Sequence, residues 1–241
     1  MTFAEDFAPV LRGHALFTAP TGGGKSWTVG AGVEELRKNN KPFIILDTKS
    51  INHIGLWLGK NRLKDLVLFR LFRGDCHTVE QYEQIIREYP FLLVIPTGGV
   101  KTTDLKTEYI KIFEAIQNLK IPRHVIVEEI HLFCKSSLVA IPEIDWIARI
   151  GRGYKIFLWA ITQRIQTFPK DLWSNCAWTC VHRFHIPQDI DYFKDVIPNF
   201  RQINNSLNPH DLLIYDHEHR TDTEYKIISG NQITRKTKHM G

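Results

Sequence analysis

The chain has 241 residues, 43% hydrophobic and 24% charged, with a formal net charge of +5 from 31 basic and 26 acidic side chains. That length buries a proper core and fits one domain over 1–241, with the composition of a soluble globular protein rather than a disordered or fibrous one. No apolar run approaches the roughly 20 residues needed to span a bilayer, and Glu5 and Asp6 stand where a secretory leader would be basic, so neither a transmembrane segment nor secretion is expected.

The first apolar run, Ala15-Leu16-Phe17-Thr18, leads into Ala19-Pro20-Thr21-Gly22-Gly23-Gly24-Lys25-Ser26, and a helix is expected from Trp27 to Lys38. Strand, glycine-rich loop and helix in that order are the setting of a phosphate-binding loop. Successive glycines let backbone N–H groups turn inward around phosphate oxygens, and the helix N-terminus adds its own unpaired donors. Lys25 then reaches the β- and γ-phosphates, and the Ser26 hydroxyl suits Mg²⁺. Ala19 stands where the strict pattern has glycine, a small-for-small change. A nucleotide such as ATP, with Mg²⁺, is the expected ligand, held by residues 19 to 27.

Further strands are expected at Pro42 to Leu46, Leu66 to Leu71, Phe91 to Ile95, His124 to Val127 and Lys155 to Ile161. Several are continuous apolar runs, as when a parallel sheet is covered on both faces. Val79 to Glu88, Leu105 to Leu119 and Ile141 to Ile150 have helical spacing. After Pro169 the pattern loosens: a strand is expected at Ala177 to Phe184, a short helix at Gln188 to Val196, and edge strands at Leu212 to Tyr215 and Tyr225 to Ile228, separated by a polar turn over Asp216 to Thr223. The fold class is therefore α/β, a three-layer core with a mostly parallel sheet and partly antiparallel C-terminal strands.

The run His124-Val125-Ile126-Val127-Glu128-Glu129 delivers two acids at a strand's C-terminal end, where open α/β sheets place their sites. Glu128 is the candidate for holding the Mg²⁺ shell or the Ser26 hydroxyl, and Glu129 for polarising an attacking water. Gln163 leaves the strand Lys155 to Ile161 as a γ-phosphate sensor candidate. Arg152, between Gly151 and Gly153, and the neighbouring Arg149 are candidates for a finger reaching another subunit's nucleotide.

Four cysteines are too few for a disulfide scaffold and fit a reducing compartment. Cys176, Cys180, His182 and His185 lie close in sequence, but their spacing departs from that of zinc fingers; packing of the cysteines as small apolar groups is the better expectation. Trp159 is expected in the core, whereas Trp57 and Trp173 fall in expected loops that could face a pore or a neighbour. Thr97 to Thr103, glycine-rich and carrying Lys101, reads either as a DNA-channel loop or as a turn before the next helix. The basic run Thr234 to His239 either touches phosphates or forms a solubilising tail.

Taken in order, Ala19 to Ser26, Val125 to His131 (“VIVEEIH”), Gly151-Arg152 and Ile161-Thr162-Gln163-Arg164 resemble the phosphate loop, Walker B run, “GR” finger segment and “TQR” sensor of FtsK/HerA-type DNA-translocating ATPases. The resemblance is greatest to the genome-packaging ATPases of tailless icosahedral viruses with an internal membrane. It spans the core over 11–196 and is weaker over the C-terminal extension, 208–241. Asp47-Thr48-Lys49 also resembles the “DPKG” segment of conjugative coupling proteins, without its proline and glycine.

The resemblance implies an ATPase that assembles into a ring, typically hexameric, and moves double-stranded DNA. Lys25 and Ser26 match its nucleotide and metal residues, Glu128 its metal acid, Glu129 its catalytic acid, Gln163 its sensor and Arg152 its finger, with Arg149 the weaker match. Work in the host cytoplasm during assembly or at a virion's packaging vertex is implied, with capsid or internal-membrane proteins as partners. Two rivals stand beside packaging: a DNA-transfer coupling ATPase, and a nucleotide-gated assembly factor that moves no DNA.

Overall fold

The computed structural model describes residues 2–134, 139–218 and 225–240. In chain order the strands are β1 (Ala15–Thr18), β2 (Phe43–Leu46), β3 (Val67–Leu71), β4 (Phe91–Pro96), β5 (Arg123–Val127), β6 (Ile156–Thr162), β7 (Trp178–His182), β8 (Leu212–Asp216) and β9 (Tyr225–Ile228). The helices are α1 (Phe3–Phe7), α2 (Lys25–Lys38), α3 (Val79–Glu88), α4 (Thr102–Leu119), α5 (Pro142–Arg149), α6 (Lys170–Ser174), α7 (Pro187–Tyr192) and α8 (Phe200–Ser206). All nine strands form one sheet in the order β3-β4-β2-β5-β6-β1-β7-β8-β9. From β3 to β7 every pairing is parallel; β8 runs against β7, and β9 against β8. The three-layer α/β class expected from the apolar runs is the class observed.

Alternation along the strands divides the core in two, as the period of two requires. Leu16, Ile44, Leu46, Val125 and Val127 face the layer of α3, α4 and α5, together with Leu172, Ile190 and Phe200 from the later helices. Ala15, Phe17, Phe43, Ile45 and Ile126 face the opposite layer, made by α1 and α2. Both faces are covered, which is why these strands read as unbroken apolar runs.

Several elements differ from expectation. Two short helices, α1 and α8, carry no extended periodicity. Thr2 and Glu5 form a capping box on α1, and Phe3 and Phe7 stack with centroids 4.9 Å apart. β8 is not an edge strand: β9 covers it, and the edge positions belong to β3 and β9. Most of the turn expected between β8 and β9 lies outside the described residues. Trp173 is 2% exposed in α6, with its indole N–H donating to the Thr179 hydroxyl at 2.7 Å, so it faces neither pore nor loop. Trp57 is half-buried after the short 3-10 turn Ile54–Leu56, and Trp159 is fully buried as expected.

The N-terminal edge of the sheet holds two buried histidines. His14 Nδ1 accepts the Leu158 N–H at 2.8 Å, which fixes the neutral ring, and burial lowers its pKa to about 4. His124 Nε2 faces the Leu11 carbonyl at 3.2 Å, and burial lowers its pKa to about 3. In the unfolded chain both take up protons near pH 6.5. Their stabilising neutral state is fully present above that pH and is lost as pH falls towards the folded values, by about 2 kcal/mol each at pH 5 as an upper figure. The thermal midpoint is therefore expected to fall by several degrees between pH 7.5 and pH 5. A midpoint that stays flat across that interval would contradict neutral burial of the pair.

Candidate nucleotide site

Strand order assembles the site. β5, β6, β1 and β7 lie side by side and parallel, with Val127 level with Ala160, and Thr162 level with Thr18 and Val181. The residues that follow these strands therefore emerge together at one sheet edge. Glu128 and Glu129 leave β5, Gln163 leaves β6, the glycine loop leaves β1, and His182 ends β7. β2, beside β5, adds Asp47 and Lys49 to the same row.

The loop from 19 to 26 has the backbone its glycines allow. Gly24 sits at φ 103° and Gly22 at φ 77°, in the left-handed region that side chains disfavour. A Cβ at Gly24 would also stand 3.3 Å from the His182 ring. That ring is clamped from below: Nδ1 donates to the Asp211 carbonyl at 2.9 Å, so Nε2 accepts the Thr28 hydroxyl at 3.0 Å. Burial lowers the His182 pKa to about 4, so the support is neutral. The 14-residue helix α2 begins at Lys25 and points its first N–H groups into the loop.

Lys25 and Glu128 form a buried ion pair at 3.2 Å, and His53 Nε2 donates to the other Glu128 oxygen at 2.7 Å. Burial alone would raise the Glu128 pKa; the Lys25 charge and the His53 hydrogen bond outweigh it and bring the carboxyl down to about 2. Asp47 is also fully buried and accepts the N–H groups of His53 and Lys49, both at 3.0 Å. Burial raises its pKa, partly offset by His53. Glu128 is thus engaged by Lys25 and His53 rather than by the Ser26 hydroxyl.

The donor set fits a magnesium nucleotide. Ser26 offers a hydroxyl and Glu128 an ionised carboxylate, the hard oxygens that Mg²⁺ accepts alongside phosphate and water. Among the described residues no group of three or more His, Cys, Asp and Glu side chains is placed to hold a metal ion unaided. A cation here would share its shell with phosphate.

Glu129 is the centre of a second network. Its backbone is left-handed at φ 48°, which turns the side chain out of the strand direction. Oε1 accepts from Lys49 Nζ at 2.7 Å and from Gln163 Nε2 at 3.0 Å, and Oε2 lies 3.4 Å from His131 Nδ1. Gln163 in turn accepts the Thr21 hydroxyl at 2.7 Å. An unbroken chain therefore runs from the glycine loop through Gln163 to a carboxylate 6% exposed. That carboxylate can accept a proton from water, and its partners fix its direction.

Arg152 and Arg149 lie elsewhere. Both precede β6 and sit at the N-terminal edge of the sheet, whereas the glycine loop is at the C-terminal edge. The seven residues of β6 separate the two edges by about 20 Å. Arg152 pairs with Glu218 at 2.8 Å and Arg149 with Asp145 at 2.7 Å, all largely exposed. Neither reaches the nucleotide cradle of its own chain.

Other sequence candidates are redistributed. Cys176 and Cys180 belong to opposite core layers, and His182 is committed to Thr28 and Asp211, so the four Cys and His residues form no cluster. Gly98 and Gly99 are exposed, with open space where a Cβ would stand, and Lys101 occupies the N-cap position of α4 without a side-chain cap. The Trp27 indole N–H donates to the Ile233 carbonyl at 2.9 Å, tying the first turn of α2 to the C-terminal segment. The basic run Thr234 to His239 is not a loose tail. It is bound along α2, with Arg235 buried and donating to the Ser26 carbonyl at 3.2 Å. Its charge pattern hid this because Arg235 is spent on backbone carbonyls and the neighbouring backbone N–H groups bind Glu34.

Sequence reasoning missed His53, which touches Glu128 but lies in an irregular stretch after β2 without a motif. Lys49 carried a signal in Asp47-Thr48-Lys49, and the position of β2 beside β5 explains why that segment meets the acids.

No protein-family model matches the sequence, and no curated protein matches it either. Solved structures do. The genome-packaging NTPase B204 of Sulfolobus turreted icosahedral virus 2, in complex with AMPPCP, superposes with a TM-score of 0.68 at 15% identity, over 90% of this chain and 97% of that one. B204 of Sulfolobus turreted icosahedral virus, described as a DNA-packaging ATPase, gives 0.63 at 14% identity, over 90% and 96%. The bacterial conjugative coupling protein TrwB gives 0.62 at 9% identity, over 90% and 85%. The chain thus has the P-loop ATPase fold shared by viral genome-packaging and conjugative coupling enzymes, the fold that its four sequence segments resemble.

Proposed function

We propose that the protein is an ATP-hydrolysing motor that translocates double-stranded DNA and packages a viral genome into a preformed capsid. The observation that carries this reading is the hydrogen-bonded chain Thr21–Gln163–Glu129–Lys49, which couples the phosphate cradle to a held carboxylate. In the proposed cycle Lys25 and the N–H groups of the 22–26 loop hold the triphosphate, and Ser26 and Glu128 would hold Mg²⁺. The ion would supply charge neutralisation at the β- and γ-oxygens. Glu129 orients and deprotonates the attacking water, and Gln163 reports the state of the terminal phosphate through Thr21. Arg152 of a neighbouring subunit completes the site in a ring, taken as hexameric.

Packaging is favoured by the fold likeness to B204, which covers nearly the whole of both chains. The exposed Gly98-Gly99 turn with Lys101 supports a flexible, sequence-independent contact with DNA phosphates. Capsid or internal-membrane vertex proteins would be further partners, in the host cytoplasm during assembly and at the virion's packaging vertex. The likeness to TrwB keeps transfer of single-stranded DNA as the second reading.

Lys25→Ala tests the nucleotide site. It removes a charge-assisted phosphate donor and leaves Glu128 with His53 alone, so ATP affinity should drop by ~10²-fold or more. Calorimetric titration with ATP and Mg²⁺ reads this, and unchanged affinity refutes the cradle. Phosphate release should rise with double-stranded DNA in the parent protein. A preference for single strands supports transfer, and indifference to all nucleic acid supports an assembly factor.

A further inference from the structure

The glycine loop opens into a cleft of about 870 Å³ whose far side is built by the C-terminal segment and by Ile51 and Asn52. Ser229, Gly230, Asn231, Ile233 and His239 line it, and Trp27 joins them from the first turn of α2. The segment is held there by contacts unrelated to phosphate. Glu34 on α2 accepts the backbone N–H groups of Lys236, at 2.9 and 3.0 Å, and of Thr237, at 2.7 Å. Arg235 donates to the Thr237 hydroxyl at 2.9 Å, the Lys238 carbonyl at 3.0 Å and the Ser26 carbonyl at 3.2 Å. Its guanidinium lies flat on the helix backbone at Gly30, where any Cβ would overlap it. The Lys238 carbonyl packs equally close on Gly55. His239 meets the Trp27 ring edge-on at 5.7 Å.

A triphosphate seated on residues 22 to 26 has only its sugar and base left to place. The cleft leads them to a wall that joins an apolar side chain, Ile233, to a ring, His239, with Ile51 and Asn52 lining the same cleft. Such a wall suits a flat heterocycle: apolar surface for its faces and a few polar groups for its edge. The basic side chain that sequence charge would assign to phosphate, Arg235, is spent on protein carbonyls and cannot serve DNA.

We propose that residues 229–239 are the nucleoside-binding wall of the site, so that the chain's own C-terminal segment, wrapped over α2, contacts the base and ribose. This rests on the nucleotide-binding reading above and adds which segment confers preference for a nucleoside triphosphate over bare polyphosphate.

The test titrates ATP, ADP and inorganic tripolyphosphate, with Mg²⁺, into the parent protein, a chain ending at Gln232, and Gly30→Ala. The last variant displaces the Arg235 guanidinium while favouring helix at that position, so α2 persists even if the shortened chain folds poorly. Both variants should bind ATP and ADP about 10-fold more weakly and tripolyphosphate within about 2-fold of the parent, since phosphate contacts are untouched. ATP affinity unchanged in Gly30→Ala with the segment shown to be displaced by its protease sensitivity, or equal loss of ATP and tripolyphosphate, overturns the proposal. A parent protein that binds none of the three sinks the nucleotide reading itself, and this inference with it.

Discussion

Glu129→Gln should bind ATP with nearly the affinity of the parent and hydrolyse it ~10²–10⁴-fold more slowly, the range that a positioned general base contributes. The geometry makes the substitution unusually clean. Both donors to Glu129 Oε1, Lys49 Nζ at 2.7 Å and Gln163 Nε2 at 3.0 Å, can be accepted by an amide oxygen of the same shape. The chain from Thr21 therefore survives, and what is lost is the ability to take a proton. Glu128 is untouched and keeps its pairing with Lys25 and His53. Two measurements read the outcome: calorimetric ATP affinity and steady-state phosphate release. Hydrolysis equal to the parent's would show that Glu129 is not the base. Loss of binding together with hydrolysis would show instead that the network, rather than the carboxylate, holds the site open.

Lys49 gives that experiment a second edge. It is about half exposed, yet it makes the shortest contact to Glu129. An exposed cation on a buried carboxylate contributes little to stability, so its role is directional.

The parts of this site that could be read from the sequence are those whose chemistry is local. A glycine run ahead of Lys25 and Ser26 declares itself because loop, helix start and cation are contiguous, and the acids declare themselves because they end an apolar strand. Gln163 was legible for the same reason. What could not be read is whatever depends on strand order. Nothing in the sequence says that β6 lies between β1 and β5, so nothing says that Gln163 bridges Thr21 and Glu129. His53 is placed by six residues of irregular backbone after Asp47, and it is fixed there by the Asp47 carboxylate that accepts its N–H and by its ring bond to Glu128, both partners distant from it in any sequence pattern. The C-terminal segment misled for a different reason. Its lysines and arginine suggested a solvated or phosphate-seeking tail, while its attachment runs through backbone N–H groups to Glu34, a partly buried helix acid with no local signal, and through Arg235 to backbone carbonyls.

Arg152 is where sequence order and geometry together make the sharpest demand. In isolation Arg152→Ala should fold normally, because its pair with Glu218 is solvent-exposed and such pairs contribute little. Within a ring its ATPase rate should fall by ~10³-fold or more, the scale on which a finger arginine acts. The loss has to arise between subunits: Arg152 precedes β6 at one edge of the sheet, and the cradle follows β1 at the other. Head-to-tail packing brings one edge of a subunit to the opposite edge of its neighbour and closes a ring. Lys25→Ala subunits keep Arg152, and Arg152→Ala subunits keep the cradle, so random mixing makes about one interface in four complete. Activity in the mixture above that of either variant alone, with co-assembly shown by light scattering, is the expected result. Arg149→Ala, which breaks a pair with Asp145 on α5, serves as the control: if it alone loses activity and regains it when mixed with Lys25→Ala, while Arg152→Ala alone stays active, the finger is Arg149. If co-assembled mixtures of neither arginine variant recover activity, no arginine acts across the interface, and Lys25 with the cation that Ser26 and Glu128 would hold must neutralise the developing charge within one chain.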